Sequence, residues 1–310
     1  IGFGSTEFHV LRANKETIPE WIYYYLRQER IRKQAVHWFR GTAGQQRVPS
    51  TFLEELEIPL PPLPEQEHIA ARLDKADRLH RLRRYALQLG DSYLQSIFLE
   101  MFGDPRINQP DFPVAKFGDV CDSHLGKMLD AKQQTGKHKR PYLRNVNVQW
   151  NEIDISDLAE MDFDEKDRKK YRLNYGDVLI CEGGEVGRAA IWRNELQECY
   201  FQKALHRAVP NPKLATPEFI VWLMYTLAEL GGLSDFTSQV TIAHLTGVNL
   251  KTIGFPLPPL ALQEKFAHIV QRYERLRSQQ RESLRQAEHL FESLLAKSFS
   301  DGSLEFDGGV

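Results

Sequence analysis

A proline-rich segment that occurs twice, each time leading into a long stretch without a helix breaker, limits what this chain can become. Residues 58–67 read IPLPPLPEQE and residues 255–264 read FPLPPLALQE, identical at seven of ten positions at a constant offset of 197. The match continues without a gap through Arg78/Arg275, Leu79/Leu276, Leu87/Leu284, Ser96/Ser293, Phe102/Phe299 and Asp104/Asp301. Pro59, Pro61, Pro62 and Pro64 lack a backbone donor and disfavour helix in the residue before them, so they impose extended chain until a helix starts at Glu65. Glu65 and Glu67 suit the positive end of its dipole. From Glu65 to Met101 there is no proline and only one glycine, Gly90: 37 residues, or about 55 Å of helix at ~1.5 Å per residue.

The second helix shows the clearer seam. Phe266, Ile269, Tyr273, Leu276, Gln280, Ser283, Ala287, Leu290 and Leu294 alternate spacings of three and four. The equivalent positions of the first helix, Ile69, Arg72, Ala76, Leu79, Arg83, Ala86, Gly90, Tyr93 and Ile97, make a poorer stripe. An antiparallel pair would bury both; ordinary core helices are the simpler alternative, which the uninterrupted length and the repetition oppose. PLPPL also contains the PxxP pattern bound by aromatic grooves, but setting the angle at which each helix begins accounts for it.

The offset also organises the rest. Residues 105–254 form a domain with strand-like runs at Tyr142–Val148, Asp177–Cys181 and Ala189–Trp192, the last two joined by a hairpin turn at Glu182–Glu185. Thr216-Pro217-Glu218 reads as N-cap, first helical residue and first-turn acid of a further helix. Residues 1–57 repeat only the end of that domain: Thr17–Ile22 parallels Ala215–Ile220, and Gln46–Leu56 parallels Gln239–Ile253 with three residues inserted in the second copy. The 85 residues from Pro113 to Gln197 have no upstream counterpart, so the chain is expected to begin inside its first domain. The expected organisation is 1–57, the end of a first domain; 58–104, hinge and helix; 105–254, a second domain; 255–310, hinge, helix and tail.

Composition is that of a soluble protein, 42% hydrophobic and 26% charged, with no apolar run near the ~18 residues that span a membrane. Cys121, Cys181 and Cys199 form no CxxC pair, which argues against structural zinc and for a reducing, cytoplasmic setting. The net charge of −2 conceals a local division. Ser123–Gln149 carries Lys127, Lys132, Lys137, Lys139, Arg140 and Arg144 against Asp130, a net of +5; Glu152–Asp167 carries eight acids against Lys166, a net of −7. Cations interleaved with Tyr142, Asn145, Asn147, Gln149 and Trp150 suit DNA, where lysine and arginine neutralise phosphates and amides read adenine edges. A solvated face without a ligand fits the same run.

No catalytic motif emerges. There is no GxxxxGK[ST], HExxH or GxSxG and no Asn/Asp-Pro-Pro-Tyr run. Pro110-Asp111 with Asp164-Glu165-Lys166 imitates a PD…(D/E)xK nuclease site, but with long spacing and an acidic setting. Gly183–Arg188 (GGEVGR) joins two strands and opens no helix, so it reads as a hairpin tip that can reach DNA. The loops Gly44–Arg47 and Thr237–Gln239 before the two proline motifs are polar enough to contact DNA or a neighbouring subunit.

The order of variable domain, PLPPL-x-EQE with long helix, second domain, PLPPL-x-x-QE with long helix resembles the specificity subunit of Type I restriction-modification systems. GKMLDAKQQTG (126–136), YLRNVNVQW (142–150), GDVLICEGGEVGR (176–188) and FQKALHRAVPNP (201–212) resemble its target-recognition domain, as do GSTEFHVLRA (4–13) and GTAGQQRVPS (41–50) in the first copy. The resemblance implies an α+β fold: mixed α/β recognition domains with β-rich cores, held apart by two long helices in an antiparallel coiled coil. It implies a non-catalytic subunit that reads a bipartite sequence in double-stranded DNA, the helices fixing the unread spacer, with no membrane association. Methyltransferase partners would use S-adenosylmethionine; restriction partners would use ATP and magnesium. The residues assigned to DNA are Lys127, Arg140 and Arg144 (phosphates), Tyr142, Asn147 and Arg188 (bases), with Asn145 and Gln239 beside them; Gln66, Glu67, Gln263 and Glu264 are assigned to partner subunits. A subunit reading one half-site, and a coiled-coil scaffold without a DNA role, are the alternatives.

Overall fold

The computed structural model describes residues 8–41, 46–108, 110–130, 135–237 and 244–300. The chain divides into two compact units, residues 1–89 with 276–310, and residues 90–275. The division cuts both long helices, α4 (Leu63–Phe102) and α9 (Leu260–Ser298), partway along. Both start at the last leucine of PLPPL, one turn closed on a proline carbonyl: Glu65 and Gln66 donate to Pro62, Leu262 and Gln263 to Pro259. Helix thus begins two residues before the expected Glu65, because Pro64 sits in the first turn, where its missing N–H has no intrahelical partner to lose.

Unit 1 is helical in its described residues: α1 (Pro19–Arg27), α2 (Glu29–His37), α3 (Ser50–Glu54), and segments of α4 and α9. Trp21, Tyr24 and Tyr25 of α1 meet Leu73 and Ala76 of α4 and Phe291, Leu295 and Phe299 of α9 in one core. Trp21 packs against Phe299 with the rings tilted and their centroids 4.4 Å apart, while its Nε1 donates to the Pro59 carbonyl at 2.8 Å. The Arg27 guanidinium lies over the Phe291 ring and 2.8 Å from the buried Asp77 carboxylate.

Unit 2 contains every named strand among the described residues. β2 (Cys121–Leu125), β10 (Leu205–Pro210), β7 (Val178–Cys181) and β8 (Ala189–Ile191) form an antiparallel sheet in the order β2-β10-β7-β8. β6 (Ala159–Asp162), β3 (Lys139–Leu143) and β9 (Tyr200–Phe201) form a second sheet, with β3 parallel to β9. β4 (Val148–Gln149) pairs β5 (Glu152–Ile153), and β1 (Val114–Lys116) pairs β11 (Gly254–Pro256). Short helices α5 (Phe117–Val120), α6 (Glu165–Tyr171) and α8 (Gly247–Thr252) join α7 (Pro217–Glu229), where Thr216 caps as expected, its Oγ1 accepting from the Phe219 N–H at 3.2 Å. The expected hairpin forms, Val178 opposite Ile191. The expected strand Tyr142–Val148 is broken: Asn145–Asn147 make a 3-10 turn between β3 and β4. α7 packs on the ends of the long helices, with Phe219 5.2 Å from Phe102 by ring centroid and Phe98 edge-on to Phe266. The three cysteines are buried thiols, and burial pushes Cys121 and Cys199 up to about 12 and Cys181 to about 11.

In each unit the long helices run antiparallel: His80 meets Glu288 at 3.0 Å in unit 1, and Phe98 meets Phe266 in unit 2. Their seam differs from the expected one. Leu276 and Leu290 are about half exposed at 49% and 46%, whereas Val270, Phe291 and Leu295 are buried. On α4, Leu79 and Tyr93 face out while Leu73, His80, Leu94 and Phe98 are buried. At these positions the seam moves by one residue, about 100° around the helix. Both registers offer apolar residues, and the aromatic Phe98 and Phe291 belong to the one that is buried.

Candidate nucleic-acid interface

Four backbone segments of unit 2 converge at the end of its sheets. The Gln202 N–H donates to Leu143 at 3.2 Å, Lys127 to Phe201 at 3.1 Å, Lys203 to Lys127 at 2.7 Å and Glu182 to Ala204 at 2.9 Å. Asn145 Nδ2 donates to the Gly183 carbonyl at 3.0 Å, and Arg188 Nη2 to the Asn145 carbonyl at 2.9 Å. Gly126 lies so close that a Cβ there would stand 2.4 Å from the Gln202 carbonyl group, which excludes any other residue. Ala204 holds a φ of +115°, a region that L residues avoid, and persists because hydrogen bonds fix both sides of its turn. The result is a rigid platform from which Met128 (61% exposed), Leu129 (55%), Val146 (59%) and the exposed Lys203 project. Lysine donates to phosphates and guanine edges; exposed apolar side chains suit the thymine methyl.

Most of the residues assigned from sequence are engaged inside the fold. Tyr142 is buried among Met161, Phe163 and Tyr200, so it is a core residue and not a surface reader. Asn147 is buried too: its Oδ1 accepts from the Arg144 N–H at 2.9 Å and its Nδ2 donates to the Asp154 and Asp157 carbonyls. Its amide holds the 3-10 turn and has no free edge for a base. Arg144 is turned to the carbonyl (2.9 Å) and carboxylate (2.8 Å) of Asp157. Lys127 is largely covered, 2.5 Å from Asp167 and 2.6 Å from the Asp162 carbonyl. Arg188 is not at the hairpin tip; it pairs with Glu185 at 3.0 Å and braces Asn145. Arg140, a third exposed, lies 3.4 Å from Glu198. Gln239, with Gly44, Gln45 and Ser238 of the two segments singled out from sequence, lies outside the described residues.

The four partner-assigned residues split in pairs. Glu67 and Glu264 are exposed. Gln66 and Gln263 are fully buried and bonded internally, which removes them from any partner surface. A different surface is available on α4, where Leu79, Leu82, Tyr85 and Leu89 form an exposed apolar stripe in unit 1.

Sequence reasoning weighted residue type and missed position. The side chains that do project, Met128, Leu129, Val146 and Lys203, lie inside the quoted stretches 126–136, 142–150 and 201–212, but only the folded backbone shows that these meet. For the nuclease alternative, Asp164 Oδ1 accepts from the Asp167 N–H as the N-cap of α6, and no group of three His, Cys, Asp or Glu among the described residues is arranged to hold a metal ion. No helix among the described residues is long and apolar enough to cross a membrane.

Comparison with known proteins agrees with this architecture. A putative Type I restriction enzyme specificity subunit of Haemophilus influenzae is 23% identical over 280 residues, covering 88% of this chain and 69% of that protein. The EcoBI specificity subunit of Escherichia coli is 24% identical over 287 residues, covering 81% of this chain and 59% of that protein. A Type I restriction-modification S subunit from M. genitalium shares the fold with a TM-score of 0.57 at 17% identity, over 92% of this chain and 74% of that one. A chain from a structural study of complex assembly in the type I R-M system gives a TM-score of 0.60 at 22% identity, over 95% of this chain and 74% of that one. The family described as Type I restriction modification DNA specificity domain matches residues 2–88 and 110–286, and the chain belongs to it.

Proposed function

We propose that this chain is the DNA-recognition subunit of a Type I restriction-modification enzyme, reading duplex DNA and holding methyltransferase and restriction subunits. The observation that carries this reading is the rigid platform of unit 2, which presents Lys203, Met128, Leu129 and Val146 in a member of the specificity family. The chain does no chemistry of its own: S-adenosylmethionine belongs to the methyltransferase subunits, ATP and magnesium to the restriction subunits, and the complex works in the cytoplasm. The exposed stripe of α4 supports a helical partner surface.

The test is co-purification with the methyltransferase subunits and mapping of the methylated sites. A bipartite motif is expected. Failure of the assembled complex to bind or methylate DNA would refute the reading, and metal-dependent cleavage by the isolated chain would refute the non-catalytic assignment. A single or palindromic motif would select the half-site alternative.

A further inference from the structure

The two oppositely charged stretches of unit 2 are neighbours in the fold. β3 carries part of the basic stretch and β6 part of the acidic one, and they pair antiparallel with Lys139 opposite Asp162 and Pro141 opposite Glu160. Asp157 engages Arg144, Asp167 engages Lys127, and Asp162 accepts from Thr135, Gly136 and His138. Much of the apparent +5 is therefore answered internally.

A second basic run follows directly after the acidic stretch. Arg168-Lys169-Lys170-Tyr171-Arg172 places four cations in five residues, in the last turn and exit of α6. The fold adds Arg140 to them through Glu198, which hydrogen-bonds the Tyr200 hydroxyl and is held below the usual carboxylate range by that bond and by Arg140, Arg172 and Arg168 around it. Lys139, Lys169, Lys170 and Arg172 are exposed. The partner of Lys169, Glu165, is as exposed as the lysine, so that pair is screened and exchangeable.

The end of α6 is also held in place. His124 Nε2 donates to the Lys170 carbonyl and Arg207 Nη1 to the Arg172 carbonyl at 2.7 Å, satisfying acceptors left over where the helix stops. Cations in a last turn complement the helix dipole. That explains neither Arg172, beyond the helix, nor Arg140, which comes from another strand.

We propose that this patch, Arg140 with Arg168, Lys169, Lys170 and Arg172, is a contact surface for the phosphate backbone of DNA. It rests on the DNA-recognition reading and deepens it: the patch positions the duplex and carries no sequence information. The test uses the chain assembled with its methyltransferase subunits, titrated with target DNA at several salt concentrations. The variants are Lys169→Ala/Lys170→Ala, Lys169→Arg/Lys170→Arg, and Lys116→Ala as an exposed control on β1. The alanine pair is expected to lower the log–log salt slope by about 1.8, at ~0.9 per phosphate, with affinity reduced about tenfold or more and the methylated motif unchanged. The arginine pair should keep the wild-type slope, as should Lys116→Ala. A thermal melt of each complex separates lost contacts from lost structure. An unchanged slope in the alanine pair, or an altered motif, overturns the proposal while wild-type binding stands; a wild-type complex that ignores DNA removes the underlying reading as well.

Discussion

Gln66 and Gln263, 197 residues apart, make the same three hydrogen bonds. Each donates to the carbonyl of the second proline of its own hinge, Pro61 or Pro258, and to the carbonyl two residues upstream of the N–H that its Oε1 accepts, Glu16/Ile18 or Leu214/Thr216. Each amide thereby locks the start of a short helix to the start of a long one. Alanine at either position leaves a buried N–H and two carbonyls without a partner, at a net cost of about 2–3 kcal/mol. Hydrogen exchange should report loosening confined to unit 1 for Gln66→Ala and to unit 2 for Gln263→Ala.

At Ala204 the backbone asks for glycine. Ala204→Gly is expected to raise stability by about 1 kcal/mol, relief of the φ of +115° outweighing the added chain entropy. Chemical denaturation checks it, and valine at the same position should cost more than the glycine gains.

Arg144 and Asp157 form an asymmetric pair. The carboxylate of Asp157 is 86% exposed, so Asp157→Ala should cost no more than a few tenths of a kcal/mol. Arg144→Ala also removes one of the two donors to the Asp157 carbonyl, leaving Asn147 Nδ2, and should cost about 1 kcal/mol with the salt slope of DNA binding unchanged.

Asp162 gives the fold an acid limit. Burial would raise its pKa, but donors from Thr135, His138 and Gly136 outweigh burial and hold it at about 2. Because the folded value lies below the ordinary 3.8, its stabilising effect is complete above about pH 4 and is lost as pH falls toward 2. In Asp162→Asn that part of the pH–stability curve should flatten, and trypsin should cut sooner at Lys137 and Lys139.

The stripe on α4 can be challenged without touching the core. Leu82→Glu/Leu89→Glu alters two residues that are 55% and 50% exposed, so folding should be retained. Co-purification with methyltransferase subunits should fall several-fold or more, read by size-exclusion chromatography of the complex.

Sequence was most informative where it repeated. The offset placed both hinges and both long helices; the short helices α3 and α8, which the sequence reading aligned but did not assign as helix, begin at Ser50 and Gly247, again 197 apart. It was ambiguous where two patterns shared a helix: Leu276 and Arg277, or Leu290 and Phe291, are adjacent candidates for one seam, and packing in three dimensions chose between them. It misled at Tyr142, Asn147 and Gln66, because hydrogen-bonding capacity is visible in a sequence and its internal partners are not. Asn147 in particular is satisfied by carbonyls seven and ten residues downstream.

Trp21 against Phe299 in unit 1 answers Phe219 against Phe102 in unit 2. Unit 2 is one continuous stretch and can close as soon as its last residues leave the ribosome. Unit 1 cannot: its core needs Phe291, Leu295 and Phe299, made after everything else described. The α1 residues are therefore made well before the α9 residues that complete their core, and loss of the final turns of α9 would unfold α1.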